Sequence, residues 1–115
     1  MSLSEIDLER LGQTALQEFS QKVARSNKSK NRSFEHQAQR LEAKLEQLYA
    51  VAATMAQREA SMKKVAVIWA RMVSICDRMA TALSGMQPGR PVRSDSYDRI
   101  LDIRNVCEEN RALHA

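Results

Sequence analysis

From Phe34 to Leu83, apolar residues recur at alternating spacings of four and three. The series is Phe34, Ala38, Leu41, Leu45, Leu48, Ala52, Met55, Glu59, Met62, Ala66, Trp69, Val73, Cys76, Ala80 and Leu83, and only Glu59 interrupts it. A seam kept over about seven heptads predicts a helix with one continuous contact face, as in a coiled coil. An unbroken helix over 34–84 would be roughly 75 Å long at ~1.5 Å per residue. A compact chain of this size has a radius of gyration near ~13 Å. The spacing therefore predicts an elongated protein whose long helix meets other helices.

Two shorter helices are expected to flank it. The first, over about 5–25, has Ser4 as N-cap and Asp7 where a capping-box acid belongs. Its stripe is Leu8, Leu11, Ala15, Phe19 and Val23, with Leu16 beside it and Gly12 weakening the middle. This stripe is out of phase with the seam, because stepping back by sevens from Phe34 and Ala38 reaches Asn27 and Asn31. Residues 26–33 are rich in Ser, Asn and Lys and read as a basic loop, with Ser33 capping the long helix. That helix is expected to stop near Ser84, with Gly85 as C-terminal cap residue before Pro88, Gly89 and Pro91. A last helix over about 95–113, capped by Ser94, carries Tyr97, Ile100, Leu101, Ile103, Val106, Cys107 and Leu113.

Short loops favour antiparallel neighbours. Both short helices should fold back on the long one and leave only its middle, about 55–63, uncovered. That stretch is polar, with Gln57, Arg58, Glu59, Ser61 and Lys63. The expected fold is an all-α single domain over 1–115: one long heptad-patterned helix flanked by two shorter helices, an elongated coiled-coil bundle. Small residues at alternate a positions (Ala38, Ala52, Ala66, Ala80) opposite large d residues suit close antiparallel packing better than a parallel zipper.

Composition narrows the function classes. The 115 residues are 43% hydrophobic and only 4% aromatic, with three glycines and two prolines, which describes helix around a thin core. The longest apolar run, Val65–Ala70, ends at Arg71 after six residues, too short for a membrane span. Charged residues from Glu5 to Arg10 exclude an apolar secretion leader, so a cytoplasmic or nuclear setting is expected rather than a secreted one. A net charge of +4 permits weak attraction to nucleic acid or anionic lipid without requiring it.

Candidate chemistry is sparse. His36 and His114 are the only histidines and have no partner at useful spacing. No phosphate-binding glycine loop, metal-ligand spacing or serine-centred motif occurs, so neither an enzyme nor a cofactor is expected. Cys76 and Cys107 read as small hydrophobes, with a disulfide between them open if the last helix folds back. Glu59 is expected either to fix register or to pair with Lys63.

The segment 65–83 is apolar on more than one side, which predicts an interface beyond the cover of one short helix. The residues expected there are Met55, Met62, Val65, Ile68, Trp69, Met72, Val73, Ile75, Cys76, Met79 and Leu83. Core filling is the favoured reading of the methionines and core anchoring that of Trp69, with an interface role as the alternative for each. Lys22, Arg25, Lys28, Lys30 and Arg32 form a basic run able to meet phosphate, with Arg90 and Arg93 as a second, smaller one. The expected function is a non-enzymatic structural or adaptor protein that acts by protein–protein association. It would self-assemble as an antiparallel dimer through the long helix or join other helical proteins. The alternative is a nucleic-acid-associated helical regulator using the basic loops at 22–32 and 90–93.

Overall fold

Helix-forming residues fill nearly the whole chain, and a computed structural model shows where that helix is cut. It describes residues 4–25, 30–86 and 95–114. These form four α-helices with no strand among them: α1 (Glu5–Arg25), α2 (Lys30–Arg58), α3 (Met62–Met86) and α4 (Asp95–His114).

The single long helix is the main correction. It is two helices, α2 and α3, separated at Glu59, Ala60 and Ser61. Glu59, the one break in the seam, begins the turn. Its backbone N–H donates to the Ala56 carbonyl at 3.3 Å, tightening the end of α2. Ser61 then starts α3 as an N-cap: its carbonyl accepts from Val65 N–H at 3.0 Å and its hydroxyl from Lys64 N–H at 3.4 Å. The Glu59 carboxylate accepts from Ser61 N–H at 3.1 Å. The expected pair with Lys63 needs a helix through both residues, and the turn removes it.

Burial explains why the turn wins. Interrupting the helix forgoes a few hydrogen bonds worth ~0.5–1.5 kcal/mol each. Folding α3 back on α2 helps to bury Leu45, Leu48, Ala52, Ile68, Trp69 and Met72, at ~1.5–3 kcal/mol for each large side chain. Tyr49 and Trp69, on opposite sides of the turn, meet with ring centroids 5.6 Å apart. The molecule measures 50 × 28 × 16 Å, well short of the length of one straight helix.

The outer helices flank this hairpin from opposite edges. α1 lies against both α2 and α3; α4 lies against α3 and, less extensively, α2; α1 and α4 do not meet. The cross-section is a flattened rhombus rather than a square. α1 opens with a reciprocal cap: Ser4 N–H donates to Asp7 Oδ2 at 2.9 Å and Asp7 N–H to Ser4 Oγ at 3.4 Å. Of its expected stripe, Leu8, Ala15 and Phe19 are buried and Leu11 is exposed. Gly12 serves close approach. A Cβ there would meet the Ile75 side chain at 3.0 Å, so the missing side chain lets α1 seat against α3.

α2 begins at Lys30, so Ser33 lies inside a helix rather than at its cap. α3 runs through Gly85 to Met86. The expected stop at Pro88, Gly89 and Pro91 and the Ser94 cap fall outside the described residues. The buried face of α3 keeps Trp69, Cys76, Ala80 and Leu83 of the expected seam and spreads beyond it. Val65, Ile68, Met72, Ile75 and Met79 are buried, whereas Met62 is exposed and Ala66 and Val73 only half-buried. α3 has neighbours on several sides, so its core face is wider than a two-helix seam.

Candidate functional site

At the turn end of the hairpin, the start of α1, the end of α2 and the start of α3 enclose a groove of ≈ 750 Å³. Its apolar lining comes from Ala50, Val51 and Met55 on α2 and from Val67 and Ile68 on α3. Glu5, Arg58, Glu59 and Lys64 add two acids and two bases, with Ser4 and Thr54 between them. Val67 stays 42% exposed, and Met62, which opens α3, is 57% exposed. The Thr54 hydroxyl donates to its own helix, to the Ala50 carbonyl at 3.0 Å. The groove exists because the polar stretch that the heptad pattern leaves uncovered is also where the chain turns.

A second, shallower groove of ≈ 290 Å³ separates α2 from α4, lined by Tyr49, Ile103 and Val106 with Glu46, Arg99 and Asp102. Arg99 bridges it to Glu46 at 3.0 Å. That contact, with the charges of Glu42 and Glu46, raises the Arg99 guanidinium above its usual range. On the opposite edge, Glu9 of α1 accepts from Arg71 at 2.5 Å and from Arg78 at 2.9 Å, both on α3.

The expected interface residues scatter between core and surface. Val65, Ile68, Trp69, Met72, Ile75, Cys76, Met79 and Leu83 are buried within the chain's own core. Met55 and Val73 are half-buried, and Met62 alone is exposed. Helices α1, α2 and α4 supply the cover that one short helix could not. The dimer geometry expected from the seam, antiparallel through one long helix, has no such helix to use.

Of the basic run, only the Lys22 side chain lies among the described residues. Lys28, Arg90 and Arg93 lie outside the described residues, as do the side chains of Arg25, Lys30 and Arg32. Lys22 is half-buried on α1, beside a small depression shared with Glu18, Arg40 and Lys44.

The chemistry on view is that of packing and ion pairing. Among the described residues, no group of three or more His, Cys, Asp or Glu side chains could hold a metal ion, and no helix is long and apolar enough to cross a membrane. The chain matches no protein-family model, no curated protein and no solved structure.

Two features escaped the sequence. The Glu9–Arg71–Arg78 contact joins helices about sixty residues apart, and no local pattern encodes it. The groove required knowing that the chain turns at Glu59. The signal for that turn was present in the lone seam break followed by Ser61, a good N-cap.

Proposed function

We propose that this four-helix bundle is a non-enzymatic interaction module that associates with a second copy of itself through the turn-end groove. The groove supports this reading most directly: an open trough of ≈ 750 Å³ with apolar and charged lining and exposed Val67 along it. Exposed apolar surface beside a concave lining is the usual mark of a protein contact. Its charges fit the choice of partner. With Glu5 and Glu59 alongside Arg58 and Lys64, a two-fold related copy can set each sign against its opposite, as an isologous interface requires.

Sedimentation equilibrium at high micromolar concentration tests the reading. The wild type should exceed the 13.0 kDa of one chain, and Val67→Glu should return it to that mass with its helicity unchanged. Raising the salt should weaken the association only slightly, since the apolar contact persists while the charges around it are screened. A wild-type monomer throughout that range would refute self-association. Tight nucleic-acid binding that persists at physiological salt, without self-association, would instead favour phosphate contacts by the basic run.

A further inference from the structure

The most extensive helix–helix contact in the molecule is between α3 and α4. Yet the α4 residues fully buried are Ser96, Ile100 and Cys107, with Tyr97, Leu101 and Ile103 partly buried against the core. Two of the three fully buried are small, which lets the helix backbones come close. Cys107 and Cys76 of α3 are both free thiols with no solvent exposure. They lie in one buried cluster, on the faces that α3 and α4 turn to each other. Half-buried Arg104 and exposed Asp77, paired at 3.1 Å, lie near them in the chain and join the same two helices. No third metal-ligating side chain gathers with the thiols among the described residues. The chemistry that two facing sulfurs offer is therefore with each other.

We propose that Cys76 and Cys107 form a reversible disulfide that fastens α4 to α3 when the chain meets a small-molecule disulfide such as glutathione disulfide. The electrons balance in two exchanges. Cys107 attacks as thiolate, forms a mixed disulfide with one glutathione and expels the other as its thiolate. Cys76 then loses its proton, attacks the Cys107 sulfur of that mixed disulfide and expels the second glutathione. The protein loses two hydrogens, and glutathione disulfide is reduced to two glutathiones. The order follows from the opening, which carries Cys107 away with α4 while Cys76 stays on α3. In the closed bundle, contact with Cys107 and burial hold the Cys76 thiol well above its ordinary range. A reagent the size of glutathione reaches the buried pair only when α4 lifts, and Ile100 is the one large side chain that α4 buries fully. Oxidation is thus limited by α4 opening, and its product prevents further opening.

The experiment uses the full reduced chain in glutathione disulfide buffer, followed by acid quench, alkylation and mass spectrometry. The expected product is a monomeric chain lighter by two hydrogens, with one peptide pair joining Cys76 to Cys107. Its melting temperature should rise by roughly 10–15 °C, since the bond closes a loop of about thirty residues, and dithiothreitol should reverse both changes. Cys76→Ser should stall as a glutathione adduct on Cys107. Cys107→Ser should form at most a glutathione adduct on Cys76 and no internal disulfide. Three results would overturn the proposal. In the first, the native chain keeps both thiols free while the urea-unfolded chain oxidises under the same buffer. In the second, the disulfide links two chains. In the third, an internal disulfide forms without raising the melting temperature.

Discussion

Helices α1 and α4 flank the same α2–α3 hairpin from opposite edges, and they hold it differently. α1 buries Leu8, Ala15 and Phe19, comes into close approach at Gly12, and adds a carboxylate shared by two arginines of α3. α4 buries one large side chain, Ile100, and two small ones, and leaves Val106 42% and Leu113 74% exposed. Tyr97, Leu101 and Ile103 pack against the core while only partly buried, and α4 adds the ion pairs Arg99–Glu46 and Arg104–Asp77 near solvent. Such pairs contribute roughly 0–1 kcal/mol each, whereas one buried aromatic contributes several times that. The comparison teaches that the extent of backbone contact and the strength of anchoring are separate quantities. α4 lies closest to the hairpin and should leave it first.

The harshest way to test that difference is to remove the anchor of each edge. Phe19 is buried and meets Phe34 edge to face, with centroids 5.9 Å apart and planes at 69°. Phe19→Ala should cost ~3–5 kcal/mol and appear in urea melts as loss of the whole cooperative transition's midpoint. Ile100→Ala should cost ~2–4 kcal/mol, but its effect should be local. Hydrogen exchange should show α4 amides losing protection while α1, α2 and α3 keep theirs. Uniform loss of protection in the Ile100 variant would mean that both edges belong to one cooperative unit.

A finer test enlarges the tightest contact. Gly12→Leu adds volume where Ile75 already stands 3.0 Å from the position of a Cβ, so a loss of ~1–3 kcal/mol is expected. Gly12→Ala should lie near neutral, because the ~0.5–1 kcal/mol gained in helix preference offsets a displacement of Ile75. A Gly12→Leu variant as stable as wild type would show that α1 sits farther from α3 than this account requires.

The sequence carried the helices more clearly than their arrangement. The Ser4–Asp7 cap, the Leu8–Ala15–Phe19 stripe and the buried Trp69 follow from local spacing and side-chain type. What heptad spacing cannot state is the identity of the partner helix. Phe34 to Ala52 and Ala66 to Leu83 satisfy the same pattern whether they face another chain or each other. The choice rested on Glu59 and Ser61, polar residues that a long coiled coil also tolerates. The close approach at Gly12 was opaque for a related reason: a glycine inside a helix weakens it locally, and only a neighbour from far along the chain reveals its use. α4 was the hardest to orient, since its apolar residues are spread around the helix rather than gathered on one side.

Smaller effects separate the edges further. Glu9→Gln removes the charge shared by Arg71 and Arg78, whose side chains are 41% and 43% exposed. Solvent screening should hold the loss to about 1 kcal/mol or less, shrinking with added salt. The slightest effect is expected from acid. The hydrogen bond from Ser4 N–H, then that from the Ser4 hydroxyl, hold the Asp7 carboxyl below its ordinary range. A carboxylate lowered by folding stabilises the fold above its unfolded pKa, and the contribution is lost as pH falls through the folded value. Melting curves taken from pH 5 downward should show a small acid slope that Asp7→Asn removes.

The central claim is that the chain reverses at Glu59–Ser61 instead of continuing as one helix. Pulsed electron–electron resonance measures it directly, with nitroxides attached through ketone-bearing unnatural residues at the exposed positions Arg40 and Thr81 and with labelled chain diluted into unlabelled. Antiparallel helices packed ~8–10 Å apart place the two labels within about 30 Å of each other, allowing for their linkers. A dominant distance in that range is the predicted result. A distance near ~60 Å, the span of one continuous helix between those residues, would contradict the hairpin, and with it the groove at its turn.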